Sequence, residues 1–372
     1  MKYPRYSYGD PAAPTIVKSM FGNAELTLPK FDYPITPAEN FRRSAYHQNP
    51  MWSPISLMDF QTISPNDFIR PTKATEGLNV CMDFTHPHTE DYTFTDWFLT
   101  NWTYVHKVGG PMLTPGFMLC DDITKWKEQV KFPNFSEWEW DSFRDNFMKN
   151  EYNPDKVLAV DIGLGCTERL VSILGGYTET MLAFATEIDA CKEFFDAFID
   201  HAIELFDRFM DNYPLNLMTY HDDWSNEKDT FFSPAMLEYM LMGPTKRLID
   251  HVRSRGVVFE FHICGNCTRF LPYFTELGVD LLQMQRRAVD FVMVKETYGT
   301  KLGFCSGIEG MDPGNTPPPK DELIPMIRKT IDLFAGNGGH YFSLFLRDPE
   351  LIWNAATEIF AYSREFYDGG VS

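Results

Sequence analysis

The chain has 372 residues, 44% hydrophobic and 15% aromatic, which is the composition of a folded globular protein with a sizeable core and excludes a disordered one. Lys and Arg total 33 against 52 Asp and Glu, and the resulting net charge of −19 disfavours nucleic-acid backbones and anionic lipid as partners. The opening MKYPRYSYGD lacks the apolar core of a signal peptide, no apolar run nears the ~18 residues of a membrane span, and the seven cysteines are scattered and odd in number; a cytoplasmic protein with reduced thiols is expected.

Residues 1–35 carry several prolines and little periodicity, and read as an arm that packs on a neighbouring copy, as a homodimer, or on the outside of the main domain. Thr36-Pro37-Ala38-Glu39 is a capping-box start for a short helix through Tyr46. Two Pro-punctuated segments follow, MWSPISLMDFQTISPNDF. From there strand-like runs recur between helix-like ones: Val80–Phe84, Pro111–Pro115, Val157–Gly163, Leu215–His221, Val257–Ile263, Asp280–Met284, Leu302–Ile308 and Tyr341–Leu346. Residues 120–155, rich in aromatics, read as an insertion over one end of the domain. Phe195, Phe198, Ile199, Ala202, Leu205, Phe206 and Phe209 recur at spacings of three and four, the buried stripe of a helix. Ser233-Pro234 starts another helix that ends near Gly256 with a kink at Pro244, and Asp348-Pro349-Glu350 starts the last, to about Tyr367.

Eight strands alternating with helices predict an α/β fold, a closed (β/α)8 TIM barrel over residues 36–372 with an N-terminal extension. The runner-up is an open doubly wound sheet, against which GLGC at 163–166 lacks the third glycine of a dinucleotide fingerprint. Barrel chemistry sits at strand C-termini, and those positions gather polar residues: Asp83 and His86, Asp161, His221-Asp222-Asp223-Trp224, then His262, Cys264 and Cys267, Gln283 and Gln285, Cys305 and Glu309. His262 and Cys264 alternate onto one face of a strand, where imidazole and thiolate suit a soft cation such as zinc. His221, Asp222 and Asp223 are the catalytic candidates, because three ionisable residues closing an apolar run need a partner or a metal. Helix N-capping is the competing role for an Asp there. His340 begins a strand and reads as structural, as do His106, His201 and His251.

PAENFRRSAYHQNPMWSPI, HDDWSNEKDTFFSPAMLEYMLMGPTKRLIDHVRSRG, FEFHICGNCTRFLPYFTELGVDLLQMQ and LGFCSGIEG together resemble the uroporphyrinogen decarboxylase superfamily, and within it the corrinoid-dependent methyltransferases. The resemblance covers about residues 36–365 and implies a (β/α)8 barrel. It also implies zinc held by a His-x-Cys motif and a later Cys, the first two falling on His262 and Cys264. The later Cys commonly lies on the last strand, where this chain has YFSLFL. The third ligand is therefore open between Cys305, the first choice, Cys267 in the turn, and a carboxylate from Asp222, Asp223 or Glu309.

The function expected is transfer of a methyl group from a small methoxylated or methylated substrate to the cobalt of a corrinoid (cobalamin) on a separate partner protein. Zinc would act on the substrate, and Asp223 or His221 would orient it or supply a proton. Trp102, Trp138, Trp140, Trp224, Phe84 and Tyr220 are candidates to enclose an apolar substrate, with ordinary core as their competing role. The alternatives are transfer from methyl-corrinoid to a thiol or tetrahydrofolate, and a porphyrin-type decarboxylase using an Asp such as Asp83. The decarboxylase reading wants Arg clusters at the strand ends, which here carry Asp and His.

Overall fold

Short apolar runs separated by amphipathic helices do fold as a mixed α/β chain. A computed structural model of the protein describes residues 2–10, 14–18, 25–63, 89–311 and 316–369. Its strands are β1 (Pro14–Lys18), β2 (Glu25–Pro29), β3 (Phe60–Ile63), β4 (Tyr92–Thr95), β5 (Asn101–Val105), β6 (Gly110–Leu113), β7 (Val157–Ile162), β8 (Leu217–His221), β9 (Val258–Ile263), β10 (Leu281–Met284), β11 (Gly303–Ser306) and β12 (His340–Phe342). One sheet holds seven strands in the order β12-β11-β10-β9-β8-β7-β3. The pairs β7–β8, β8–β9, β10–β11 and β11–β12 run parallel, as βαβ connections require.

A closed eight-stranded barrel is therefore not what the described residues form. Six of the expected runs are strands of this sheet. The run at Val80–Phe84 lies outside the described residues, together with Asp83, Phe84 and His86. Pro111–Pro115 overlaps β6 instead, which belongs to a separate antiparallel sheet of order β4-β5-β6. In its place the parallel sheet takes β3, from the Pro-punctuated segment that sequence reading left without a strand.

Two compact units divide the chain, one of Met1–Gln61, Asn153–Leu158 and Asp280–Ser372, the other of Thr62–Tyr152 and Ala159–Val279. In the first, Thr36 accepts a hydrogen bond from the Glu39 N–H and starts the helix Pro37–Ala45, while the Glu39 carboxylate turns outward to Arg42 and Arg43. Only half of the capping box forms. The arm contributes the β1–β2 hairpin and more core than its prolines suggest: Leu28 and Phe31 are buried, Phe31 stacks on Phe360, and Arg5 pairs with Glu358 and Glu365 of the helix Pro349–Tyr367.

In the second unit the seven-residue stripe of the helix Ile188–Asn212 is buried throughout. The region after Ser233 forms two helices, Pro234–Met240 and Met242–Ser254. The break falls where Pro244 demands it, since its ring excludes the carbonyl four residues earlier, at Met240. The insertion is helical, and its rings pack on the Ile188–Asn212 helix: Trp126 on Phe194, Phe135 on His201, Trp140 on Phe209. Among the described residues no helix is long and apolar enough to cross a membrane.

Candidate metal centre at the strand ends

Register decides which side chains meet. Asp161 on β7 lies opposite Thr219 on β8, Thr219 opposite Glu260 on β9, and His221 opposite His262. Alternate residues of a strand share a face, so Asp161, Thr219, His221, Glu260 and His262 fall on one side of three adjacent strands. That side is polar where its neighbours Tyr220, Phe259 and Phe261 are fully buried core. Glu260 accepts a hydrogen bond from the Thr219 hydroxyl at 2.9 Å. The imidazoles of His221 and His262 stack with centroids 4.2 Å apart.

Beyond the strand tips, Asp223, His262 and Cys264 bring one ligand atom each to within 4.8 Å of one another. It is the one group of this kind among the described residues. Cys264 Sγ lies 3.4 Å from His262 Nε2, and the Cys264 backbone N–H donates to Asp223 Oδ1 at 2.6 Å. Two donors at ordinary Zn–S and Zn–N lengths on a tetrahedral ion stand roughly 3.5 Å apart, so the pair fits zinc as it stands. Mixed S, N and O donors suit the same ion.

The turns that carry these residues are tied together through backbone. Gly165 N–H donates to the His221 carbonyl at 2.6 Å, and a Cβ at Gly165 would lie 2.5 Å from the Asp222 Cβ. Gly265 has φ +83° and packs against the Asn226 backbone, where a Cβ would lie 2.5 Å from the carbonyl carbon. Only glycine serves at either point.

Of the catalytic candidates, Asp222 turns out to be a cap. Its carboxylate accepts the Thr167 and Glu168 N–H groups at the start of the helix Cys166–Leu174 and the Trp224 indole N–H. Burial pushes its carboxyl up to about 7, against those three donors. His221 Nε2 meets Asp161 Oδ1 at 2.5 Å, out of hydrogen-bond alignment. Burial opposes both charges, yet their mutual attraction wins, leaving His221 raised and Asp161 lowered from their ordinary values. Asp223 is raised by burial, partly offset by the Cys264 N–H.

Cys305 belongs to the other unit, buried at the centre of β11 with Gln283 Nε2 4.0 Å from its sulfur. The third donor that the described group supplies is Asp223, where sequence reading put Cys305 first. Cys267 is fully buried and precedes the short helix Thr268–Phe270, and burial pushes its thiol up to about 12. Glu309 pairs with Arg286 at 2.7 Å, and the backbone carbonyl of Gln285 caps a turn to Ala288 and Val289. His340 is buried against Ser306 Oγ at 2.8 Å, a structural role as expected.

One acid was missed. Glu168 follows the GLGC turn, and its carboxyl is held well above the usual range by burial and by the charges of Asp223 and Asp222. Its sequence signal was a glutamate in the first turn of a helix that starts just past a strand end. The aromatic candidates went the other way: Trp224 packs among Phe232, Phe261, Phe270 and Phe274, Tyr220 is fully buried, Trp138 and Trp140 stack on each other, and the Trp102 indole donates to Asp96. All of these rings are buried core except Trp140, which is half-buried.

No family model and no curated protein matches the chain. Among solved structures it is similar to a methyltransferase from Methanosarcina mazei, with 15% identity over 69% of this chain and 73% of that one at a TM-score of 0.47. It is also similar to the catalytic domain of the Bacillus sp. JAMB-750 GH26 endo-beta-1,4-mannanase, with 10% identity over 88% and 90% at a TM-score of 0.39. Two enzymes of unrelated chemistry at such scores decide nothing about activity.

Proposed function

We propose that the protein is a zinc-dependent methyltransferase of the cytoplasm that moves a methyl group from a small methylated substrate to the cobalt of a corrinoid carried by a separate protein. The observation that carries this reading is the Asp223–His262–Cys264 donor set, and the motif resemblance around HDDWSNEKD and FEFHICGNC supplies the chemistry. Three protein donors leave a fourth position for substrate, the pattern of catalytic rather than structural zinc. Zinc bound there would supply Lewis acidity toward the atom that releases the methyl group.

The chain's own residues do the rest. His262 is oriented by its stack on His221, which Asp161 holds from the far side. Such outer contacts fix a ligand ring in its binding pose. Asp222 holds the β8 tip against the Cys166–Leu174 helix, so that Asp223 presents its carboxylate to the centre. Glu168, raised by burial, is placed to keep a proton near the leaving atom.

The test is metal analysis of the purified protein followed by mixing with reduced corrinoid protein and a panel of methylated compounds, with methyl-cobalt formation followed by absorbance. About one zinc per chain and methyl transfer from at least one donor are expected. Zinc-free protein that transfers methyl groups in neither direction overturns the proposal.

A further inference from the structure

We infer that the strand ends of the first unit carry a carboxylate-binding site, in which the Arg286 guanidinium, already paired with Glu309, takes the carboxylate of a small ligand as its second acceptor. The inference goes beyond the methyl-transfer reading and does not depend on it.

Position is the first observation. Arg286 stands just past Met284, the last residue of β10, and Glu309 just past Ser306, the last of β11. These strands are parallel neighbours, so both residues belong to one end of the sheet, the C-terminal end at which α/β proteins bind their ligands. Their geometry is fixed from several sides. Arg286 Nη2 donates to Glu309 Oε1 at 2.7 Å, the Glu309 N–H donates to Thr330 Oγ1 at 2.8 Å, and the Gln285 carbonyl closes the turn by accepting from Ala288 and Val289. A guanidinium clamped in this way loses little freedom on taking a further acceptor.

The second observation is a nitrogen without an acceptor. Arg286 Nη1 is buried and has no hydrogen-bond partner among the described residues. It carries two N–H groups, and a buried donor left unpaired is costly, more so on a charged group. Arg169 Nε and Arg364 Nε share that condition, but their guanidinium groups lie over aromatic rings, Arg169 over Phe98 and Arg364 over Tyr3. Among the described residues no ring takes that place for Arg286.

The charge of Glu309 does not bar a second anion. Elsewhere in the chain one guanidinium holds two carboxylates: Arg5 has Glu358 and Glu365, Arg144 has Asp141 and Asp145, and Arg247 has Asp196 and Asp200. Arg286 has one. A ligand carboxylate at Nη1 completes the same arrangement, through charge-assisted bonds roughly twice as strong as those a neutral amide or alcohol would accept. A guanidinium only donates, so an ammonium ligand gains nothing there.

The experiment follows the guanidinium N–H signals of the full chain, labelled at arginine, by NMR. The Arg286 signal is assigned from its loss in Arg286→Lys, and the protein is titrated with sodium acetate or with acetamide at an ionic strength held constant with sodium chloride. Acetate should shift the Arg286 signal to saturation and bind about tenfold or more tightly than acetamide, its neutral isostere. Saturation transfer to the acetate methyl group reads the same binding in the variant, where lysine keeps the charge without the planar fork and should weaken acetate by about tenfold. An Arg286 signal that moves no further with acetate than with chloride, acetamide bound as tightly as acetate, or acetate binding that Arg286→Lys leaves unchanged overturns the inference. Should that variant not fold, the comparison of acetate with acetamide and chloride on the parent chain decides alone. Saturation by acetate in a protein that transfers no methyl group keeps this site and removes only the methyl-transfer reading.

Discussion

Asp96 and Asp223 lie in the same unit and meet opposite treatment. The Asp96 carboxylate is fully buried and accepts from the Phe98 and Thr100 N–H groups, the Thr100 hydroxyl, the Trp102 indole and the Arg169 guanidinium. Every lone pair is in use, and around it Phe98 lies under Arg169 and next to His201, which stacks on Phe135. The Asp223 carboxylate takes the Cys264 N–H and turns its remaining capacity toward His262 and Cys264. A saturated carboxylate can only stabilise, whereas one left with spare lone pairs can bind a metal or a substrate. Carboxylates alike in sequence thus divide into anchor and site by how many donors surround them.

The sharpest way to break this contrast is Cys264→Ala, for which zinc content should fall from about one per chain to near none with the fold unchanged by circular dichroism. Full occupancy in that variant would falsify the assignment of the centre. On the anchor side, Asp96→Ala leaves Arg169 buried and unpaired and should cost about 3–5 kcal/mol in denaturant unfolding, with zinc affinity of the folded fraction unchanged. If zinc is lost in proportion, the two regions are not separable. The third ligand comes next: Asp223→Ala should weaken zinc by roughly ten- to a hundredfold, measured by competition with a chelator, while Cys305→Ala leaves it within about twofold. The reverse ranking restores Cys305 as ligand.

The smallest effect concerns pH. Burial and the Arg169 charge lower the His201 imidazole to about 3, so His201 is held neutral in the fold. A folded-state value below the unfolded one means that the unfolded chain takes up the proton first. Its contribution is therefore full above about pH 6.5 and lost as pH falls from there toward 3. His201→Phe keeps the stack on Phe135 without the titration, and at pH 5 it should lose about 2 kcal/mol less stability than the parent, relative to pH 7, in urea melts. Parallel curves for the two proteins would show that His201 is already protonated in the fold.

Much of this was legible in the sequence because it depends on period and spacing. His262 and Cys264, two apart on a strand, had to share a face, and the stripe from Phe195 to Phe209 had to be buried. What stayed hidden depends on partners. The strand Phe60–Ile63 is only four residues long between prolines, and its place comes from the sheet it joins rather than from its own pattern. Alternation in YTFT and NWTYV is a period-two signal that fits the antiparallel sheet, but each run is only four or five residues long. Asp222 and Asp223 are adjacent and chemically identical, and nothing in a linear string says which of them faces the Thr167 and Glu168 N–H groups. Trp224 is a similar case: its place just past a strand tip suggests the mouth, and only its packing makes it core.

The two glycines that let the strand-end turns touch also set where the centre can change. Any side chain at position 165 would collide with Asp222, and any at 265 with Asn226, so both turns are closed to variation while the acids between them stay in place. Tyr177 and Phe231 carry no such restriction: one is exposed, the other half-buried, and neither sits in a turn that needs a positive φ. The turns that present Asp223 and Cys264 are thus held by backbone contacts that only glycine allows, while the rings beside them are free to change.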